Sequence, residues 1–407
     1  MTELPKTRPE VAARTQAAIY GAGMFSNSMS DVAAVVLPLW LAGLGYSTVA
    51  IGLVVGAKHI LPLLFAIHGG AMIDRLGARR VMIAAAVTSA IVLPLFPLYP
   101  VLAIIVLLQM VNGFASALSW IGAQALFGRI LMGHPDYAGP FAFALRMGSF
   151  IGPPIGGLAY DLWGINGGIA VLVVWALLTL VAAWNLPPSR ALPSGKQRVG
   201  VVDLMPRVAD YKAAFRLVGV PAMATVLSIT VFRIAASSIQ DSFYPVFLTS
   251  IGLPATQIGI LITISSALAA GAALSIGWMT RRMDALWLLV VSSMGSILFI
   301  AVTPLFTAYW MLVVLAAVRG VCMGVSQPLM LSLLVSAAER NEQGLGVSLR
   351  TTANRAAAAV TPVTMGLVAS VVGLGASFLV MGVVLMGGMA VVGRRVLKGR
   401  GRSGTGS

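Results

Sequence analysis

The stretch GGAMIDRLGARR (Gly69–Arg80) is a short, charged segment set between two long apolar runs. The run before it ends near His68, and the run after it begins at Val81. Both runs are long enough to cross a bilayer, where a single segment satisfies its own backbone hydrogen bonds by forming a helix. The sequence therefore predicts two membrane-spanning helices joined by a tight loop at one membrane face.

This loop resembles the signature that joins the second and third helices of the major facilitator superfamily on the cytoplasmic side. The resemblance is carried by Gly70, Asp74, Arg75, Gly77, Arg79 and Arg80. It implies a secondary transporter in which these residues form a conformational latch. The carboxylate of Asp74 would lie at a helix N-terminus and pair with arginine in one state of the transport cycle.

Composition sets the broad class of the protein. The 407 residues are 58% hydrophobic and 10% charged, whereas a soluble protein is about 45–50% apolar and about 25% charged. Mean hydropathy is +0.94. We therefore expect an all-α polytopic membrane protein, with length for about twelve helices of roughly 20 residues. The net charge of +15 does not indicate nucleic acid binding, because most of the basic residues lie in loops and tails.

Breaks in the apolar pattern divide the chain into twelve predicted helices. Pro97–Pro100 separates the third helix from the fourth within the uncharged stretch between Arg80 and Arg129. The fifth helix follows the 133–139 loop and ends near Tyr160. The other predicted helices cover residues 17–44, 48–68, 166–186, 221–249, 255–280, 286–306, 309–337, 346–372 and 376–397.

The helices form two predicted six-helix repeats, as in the major facilitator fold. The predicted regions are a cytoplasmic tail (1–16), a bundle (17–187), a cytoplasmic linker (188–220), a second bundle (221–397) and a disordered basic tail (398–407). A shift of 207 residues pairs Gly45 with Gly252, and a shift of 209 pairs Pro153 with Pro362. Parallel repeats of this kind predict a substrate site between the two halves, near the bilayer midplane.

The distribution of arginine and lysine predicts the orientation. Arg129, Arg281, Arg340 and the basic residues of the linker and C-terminal tail all fall on the side of the N-terminus. The loops on the opposite side hold no Lys or Arg. By the positive-inside rule, we expect a multi-pass protein of the cell inner (plasma) membrane with both termini cytoplasmic.

A glycine-rich pattern in the fifth helix resembles the antiporter motif of the drug:proton antiporter branch of the superfamily. Its residues are Gly139, Gly148, Gly152, Pro153, Gly156 and Gly157. The resemblance implies an exporter. The same spacing also suits close packing of any two helices, because glycine lets backbones approach and proline bends the helix.

Three titratable residues within the predicted helices are candidates for proton coupling: Asp31, His59 and Asp241. A carboxylate at mid-membrane depth costs about 2.5–3.5 kcal/mol on insertion scales, so Asp31 is expected to face the bundle interior or a wet cavity. Histidine can also change its charge near neutral pH. A structural carboxylate paired with a neighbouring helix is the alternative for Asp31, and a packing histidine is the alternative for His59.

Polar and basic residues elsewhere in the helices are candidates for substrate binding: Asn27, Lys58, Gln109, Asn112, Trp120, Arg233, Arg319 and Gln327. The fourth helix lacks the arginine that the family often carries there. Arg319, which the repeat pairs with Asn112, is a candidate replacement. Basic residues outnumber carboxylates in the predicted helices, which favours an anionic or zwitterionic substrate.

These observations predict a proton-coupled secondary active transporter that works by alternating access and exports a small amphipathic organic compound or drug. The alternatives are a proton symporter that takes up a small organic anion, and a non-transporting receptor or scaffold on the same fold. The sequence shows no nucleophile–base pair, metal-ligand cluster or phosphate loop at credible spacing, so we predict no enzymatic activity, metal or cofactor. The expected partners are substrate, protons and membrane lipids, with no nucleic acid, and we expect a monomer.

Overall fold

The computed structural model describes residues 11–65, 72–73, 76–131, 135–187, 219, 221–337 and 343–403. Across these residues the chain is helical, and they contain no β-strand, which confirms the all-α fold class. The predicted linker lies outside the described residues except for Gly219, and so does most of the N-terminal tail.

The described residues of the first half of the sequence form seven helices. They are α1 (Ala13–Gly43), α2 (Thr48–Ala57), α3 (Ile60–Leu64), α4 (Ala78–Val92), α5 (Leu95–Leu98), α6 (Leu102–Ile130) and α7 (Pro135–Trp184).

Over its described residues, the second half forms eight α-helices and a 3-10 turn at Thr303–Leu305. Its helices are α8 (Pro221–Ser242), α9 (Tyr244–Ser250), α10 (Ala255–Leu274), α11 (Ile276–Met279), α12 (Ala285–Ala301), α13 (Tyr309–Ala337), α14 (Gln343–Val372) and α15 (Leu374–Ser403). The last helix thus continues into the stretch predicted to be a disordered tail.

Nine of the described helices are long and apolar enough to cross a membrane. One of these spans, Asp136–Trp184, covers the fifth and sixth predicted helices together. The second and ninth predicted helices correspond to shorter apolar helices, Thr48–Ala57 and Ala285–Ala301. Every predicted apolar segment therefore has a helical counterpart among the described residues.

Prolines explain why two predicted helices are each divided. The second predicted helix is interrupted at Lys58 and His59, and Pro62 lies four residues after Lys58. Because proline has no N–H and its ring clashes with the carbonyl four residues earlier, Pro62 cannot continue the hydrogen-bond ladder at Lys58. Pro245, at the start of α9, has the same relation to the carbonyl of Asp241 at the end of α8.

Glycine turns recur at equivalent positions of the two halves. Gly45 and its repeat partner Gly252 have φ values of 76° and 89°. Gly164, which lies between the two helical parts of α7, and its partner Gly373 have φ values of 60° and 83°. Residues with a side chain avoid this left-handed region, so glycine is the residue best suited to all four turns.

The chain divides into two compact units. Unit 1 comprises Met1–Trp40, Ala57–Pro206 and Pro254–Gly259. Unit 2 comprises Leu41–Gly56, Arg207–Leu253 and Ile260–Ser407. Each unit contains a short segment from the other half of the sequence.

In unit 1, the segment Pro254–Gly259 from the second half of the sequence packs against α7 through glycine. A Cβ atom on Gly157 would collide with the backbone carbonyl of Ala255, and one on Gly259 would collide with the carbonyl of Pro153. Substituting either glycine therefore requires the backbones of α7 and α10 to separate. The apolar core of this unit lies elsewhere and includes a stacked pair of rings, Phe127 and Phe141, with centroids 4.7 Å apart.

Unit 2 contains the repeat-related version of this crossing. A Cβ atom on Gly366 would collide with the carbonyl of Thr48, and one on Gly52 would collide with the carbonyl of Pro362. The hydroxyl of Thr48 donates a hydrogen bond to the carbonyl of Gly366 at 2.8 Å. The internal repeat detected in the sequence is therefore also a repeat of backbone contacts.

In unit 1, a carboxylate also reinforces the crossing. Asp161 on α7 accepts hydrogen bonds from the backbone N–H groups of Ala255 and Thr256, at 2.9 and 2.8 Å. It also accepts one from the hydroxyl of Thr256 at 2.6 Å. The N–H groups at the start of a helix have no acceptor within the helix itself, so Asp161 supplies one to α10. A negative charge at this end also interacts favourably with the helix dipole. The repeat equivalent of Asp161 is Ser370, which bonds to Leu367 of its own helix.

We expect Asp161→Ala to lower the free energy of unfolding by about 1 kcal/mol, since it removes the cap of α10. The measurement is the melting temperature of the purified protein in detergent. Asp161→Asn keeps an acceptor oxygen and should retain most of the stability. Ser370→Ala is the repeat-matched control and should melt like the wild type. Unchanged melting of Asp161→Ala would contradict this role.

Candidate functional site

Polar side chains of unit 1 lie where α1 meets α7. The amide of Asn27 donates to the hydroxyl of Ser149 at 3.3 Å, and the indole N–H of Trp175 donates to the hydroxyl of Ser28 at 2.9 Å. A Cβ atom on Gly148 would lie 2.7 Å from the hydroxyl of Ser28. Glycine at this position therefore allows α1 and α7 to bring their polar groups into contact.

Asp31 lies one helical turn after Asn27 on α1 and is half-buried. Asp31, like His59 and Asp241, makes at least one hydrogen bond, ring contact or electrostatic interaction with a neighbouring group. Positions four residues apart share one face of a helix, so Asp31 lies on the same side of α1 as Asn27. This places the predicted proton carrier next to a polar contact that joins two helices.

The fourth predicted helix, α6, carries two buried amides on one face. Gln109 and Asn112 are 3% and 6% exposed. Among the described residues, no hydrogen-bond donor pairs with the side-chain oxygen of either one. Buried carbonyl oxygens are normally paired, because leaving one unpaired costs about 1–3 kcal/mol. These two oxygens therefore keep an unused hydrogen-bonding capacity among the described residues. Trp120, on the same helix, is half-buried.

Lys58 and His59 lie at the interruption between α2 and α3, and both are half-buried. A Cβ atom on Gly113 would collide with the carbonyl of Lys58. In unit 2, Gly320 approaches the carbonyl of Ser265 in the same way. The backbone of Lys58 is therefore held by a contact that the repeat duplicates, whereas its charge has no repeat counterpart.

Part of the predicted latch can be located. Gly70, Asp74 and Arg75 lie outside the described residues. Gly77 precedes α4 with φ 87°, and Arg79 donates to the backbone carbonyl of Trp184 at 2.8 Å. Arg80 is exposed and contributes to an apolar groove of about 410 Å³ between α4 and α6.

The glycines of the predicted antiporter motif line the contacts of α7. Gly152 and Gly156 face Val32 of α1, as Gly148 faces Ser28. Gly157 and Pro153 face α10 instead, through the crossing described above. Gly139 is exposed, and a Cβ atom added to it would have no neighbour within 4 Å among the described residues.

Two arginines are buried among the described residues of unit 2. Arg233 on α8 and Arg319 on α13 are each 4% exposed. Arg319 donates from Nη1 to the side-chain oxygen of Gln240, whereas its Nε and Nη2 have no partner among the described residues. Arg233 points Nη1 at the sulfur of Met323, 3.8 Å away, and its Nε likewise has no partner there. Two buried guanidinium groups therefore retain free donors.

Other charged and polar groups lie on α8, on α13 and on α14, which packs against α8. The charge of Asp241 acts on Arg319, and the charges of Arg350 and Arg319 act on Arg233. The Nε atom of Arg350 and the side-chain oxygen of Asn354 are buried without a partner among the described residues. Gln327 is exposed. We call Arg233, Arg319, Gln240 and Asp241 the arginine cluster.

Sequence reasoning missed several of these contact residues. Gln240 directly precedes Asp241, and Asn354 directly precedes Arg355. Their position next to a charged residue is the sequence signal that could have identified them. The sequence analysis gave Asp161 no role, although its four-residue spacing from Gly157 places both on one face of α7. Within the described residues, no group of three or more His, Cys, Asp or Glu side chains lies together as metal ligands would.

The glycine contacts can be tested inside the motif itself. We expect Gly157→Ala to lower both the melting temperature and transport, because its methyl group would collide with the carbonyl of Ala255. Gly139→Ala is the matched control: it has open space and should be neutral or stabilising, since alanine is favoured over glycine in a helix by about 1 kcal/mol. Equal behaviour of the two variants in a thermal unfolding assay would refute the packing role of Gly157.

Comparison with known proteins gives a family match along nearly the whole chain. The family model described as Major Facilitator Superfamily matches residues 19–236 and 226–404. The enterobactin exporter EntS of Citrobacter koseri is 27% identical over 332 residues, which cover 78% of this chain and 76% of that protein. The enterobactin exporter EntS of Salmonella choleraesuis is 25% identical over 363 residues, which cover 86% of this chain and 84% of that protein.

Solved structures share the fold at low sequence identity. The nucleoside transporter NupG, solved as a mutant, superposes with a TM-score of 0.78 and 16% identity, over 93% of this chain and 99% of that one. A bacterial homologue of the human lysosomal transporter Spinster, in an inward-facing and unoccupied conformation, superposes with a TM-score of 0.70 and 12% identity, over 94% of this chain and 96% of that one.

Proposed function

The chain belongs to the major facilitator superfamily, and we propose that it is a proton-coupled exporter of a small amphipathic organic compound. The observation that carries the proposal is a set of buried polar side chains on membrane-spanning helices, each of which keeps at least one polar atom without a hydrogen-bond partner among the described residues. Gln109 and Asn112 in unit 1 and Arg233 and Arg319 in unit 2 are such groups. Polar groups are costly within a bilayer, and they usually mark a substrate or ion pathway.

The direction of transport is proposed from the relatives. Exporters are similar to this chain over about four-fifths of its length, with 24–27% identity. The resemblance of the glycine pattern in α7 to the antiporter motif adds support. The inner membrane, cytoplasmic termini and alternating access belong to the same proposal.

We propose that Asp31 and Asp241 take part in proton coupling in different ways. Asp31 lies beside the Asn27–Ser149 contact and would carry the exchanged proton. Asp241 lies within the influence of Arg319, so a proton taken up by its carboxylate would remove the negative charge that faces the guanidinium. Arg319 would then attract an anion more strongly. This is the role that the missing arginine of the fourth helix would otherwise fill.

Proteoliposomes with a pH-sensitive dye inside test the coupling. A panel of amphipathic acids, amides and amines is added outside, and lumenal pH is recorded against protein-free vesicles. For antiport, a transported compound enters as protons leave, so the lumen becomes alkaline. Asp31→Asn should abolish this response. Asp284→Asn should not, since Asp284 is exposed where it caps α12 and asparagine also caps helices.

The opposite sign of the response would support the second candidate function. Acidification of the lumen beyond that of protein-free vesicles, lost in Arg319→Gln, would indicate proton-coupled uptake of an organic anion. The buried arginines are the observation that favours this alternative. No response of either sign to the entire panel would overturn proton coupling.

We also propose that the loop containing Asp74 latches one state of the cycle. Asp74→Asn is expected to reduce the transport rate while leaving membrane insertion intact, because it removes the charge without changing the size of the side chain. The checks are flux per protein molecule in proteoliposomes and protein recovered from the membrane fraction. Wild-type flux from well-expressed Asp74→Asn protein would rule the latch out.

A further inference from the structure

We propose that the transported compound carries an oxyanion, such as a carboxylate, and that Arg233 and Arg319 of the arginine cluster bind it. This inference rests on the proposed transport function, whose substrate it narrows to organic acids. It holds for either direction of transport.

The first observation that favours an anion is the hydrogen bonding of the two arginines. Both are 4% exposed, and three of their donor atoms, Nε and Nη2 of Arg319 and Nε of Arg233, have no acceptor among the described residues. A guanidinium group presents its N–H groups as a planar fork that matches the two oxygens of a carboxylate. The free donors of Arg319 lie on that fork.

The balance of charge points the same way. Over their described residues, the helices α8, α13 and α14 carry four arginines and one carboxylate, Asp241. Asp241 acts on Arg319, whereas Arg233 is influenced by two like charges, those of Arg350 and Arg319. Like charges held close together in a medium of low dielectric repel each other strongly. An anion between them would turn this repulsion into attraction.

The existing contacts of Arg233 are weak ones. Its described side-chain partner is the thioether of Met323, at 3.8 Å, and the hydroxyl of Ser237 also contacts that sulfur at 3.7 Å. A thioether is a weak acceptor. A carboxylate would therefore replace it with a net gain, while the methionine could remain against the apolar part of the ligand. This arrangement favours an anion over a neutral amide and opposes an amine.

The test uses matched pairs of aromatic acids and their primary amides, such as phenylbutyrate and phenylbutyramide, which differ in charge but little in shape. Melting temperature and calorimetric affinity are measured with the full-length protein in detergent at neutral pH. We expect acids in the panel to raise the melting temperature and to bind at least about tenfold more tightly than their amides, because hydrogen bonds to charged groups are the stronger ones. If every acid binds no better than its amide, the proposal is wrong.

Variants assign the effect to the two arginines. Arg233→Gln and Arg319→Gln should each weaken binding of the best acid by about tenfold or more and leave binding of its amide unchanged. Arg319→Lys should restore part of the affinity, which separates loss of charge from loss of folding. Arg281→Gln removes an exposed arginine of the same unit and is the control. Equal weakening by Arg281→Gln would show only a general charge effect and overturn the site.

The binding assay is independent of the flux assay. Selective acid binding without any coupled proton movement would leave the anion site standing and overturn the proposed coupling. Proton-coupled transport of amines or amides, with no acid preferred, would leave the transport function standing and overturn the anion site.

Discussion

A membrane-spanning helix already satisfies its own peptide groups, so such helices associate through close backbone contact rather than through burial away from water. In this protein those contacts depend on glycine at repeated positions. Gly157 and Gly259 in unit 1 and Gly366 and Gly52 in unit 2 each face a carbonyl of a neighbouring helix, with no room for a side chain. Contacts between α1 and α7 follow the same rule. The helices can therefore bring the polar side chains near these crossings together only because the facing glycines have no Cβ atom.

The helical content was predictable because hydropathy is a local property: each predicted apolar segment has a helical counterpart. The interruptions within helices were harder to predict, although their cause, proline, is also local. Pro62 and Pro245 remove the hydrogen bonds of Lys58 and Asp241, but proline in a membrane helix also occurs without a break, as Pro38 does within α1. The cap formed by Asp161 could not be predicted, because its partners lie 94 and 95 residues away and nothing local to Asp161 identifies them.

The site shows the same limit. The sequence indicated which charged residues lie within predicted membrane helices, where a charge is energetically costly and usually has a function. It could not indicate their partners. The structure assigns Arg319 to Gln240 and Arg233 to Met323, and it places Lys58 in unit 1 and both buried arginines in unit 2. Those pairings are determined by how helices rotate against each other, and this depends on distant packing.

The backbone contacts repeat between the halves, but the chemistry does not. Arg319 occupies the position that the 207-residue shift pairs with Asn112, and Arg233 is paired in the same way with Ser26. Unit 1 thus offers unpaired carbonyl oxygens on Gln109 and Asn112, which accept hydrogen bonds, whereas unit 2 offers guanidinium donors, as judged over the described residues of each. A scaffold that repeats its glycines needs no such difference for folding. The difference therefore belongs to the polar side chains of each unit and not to the backbone contacts that the two units share.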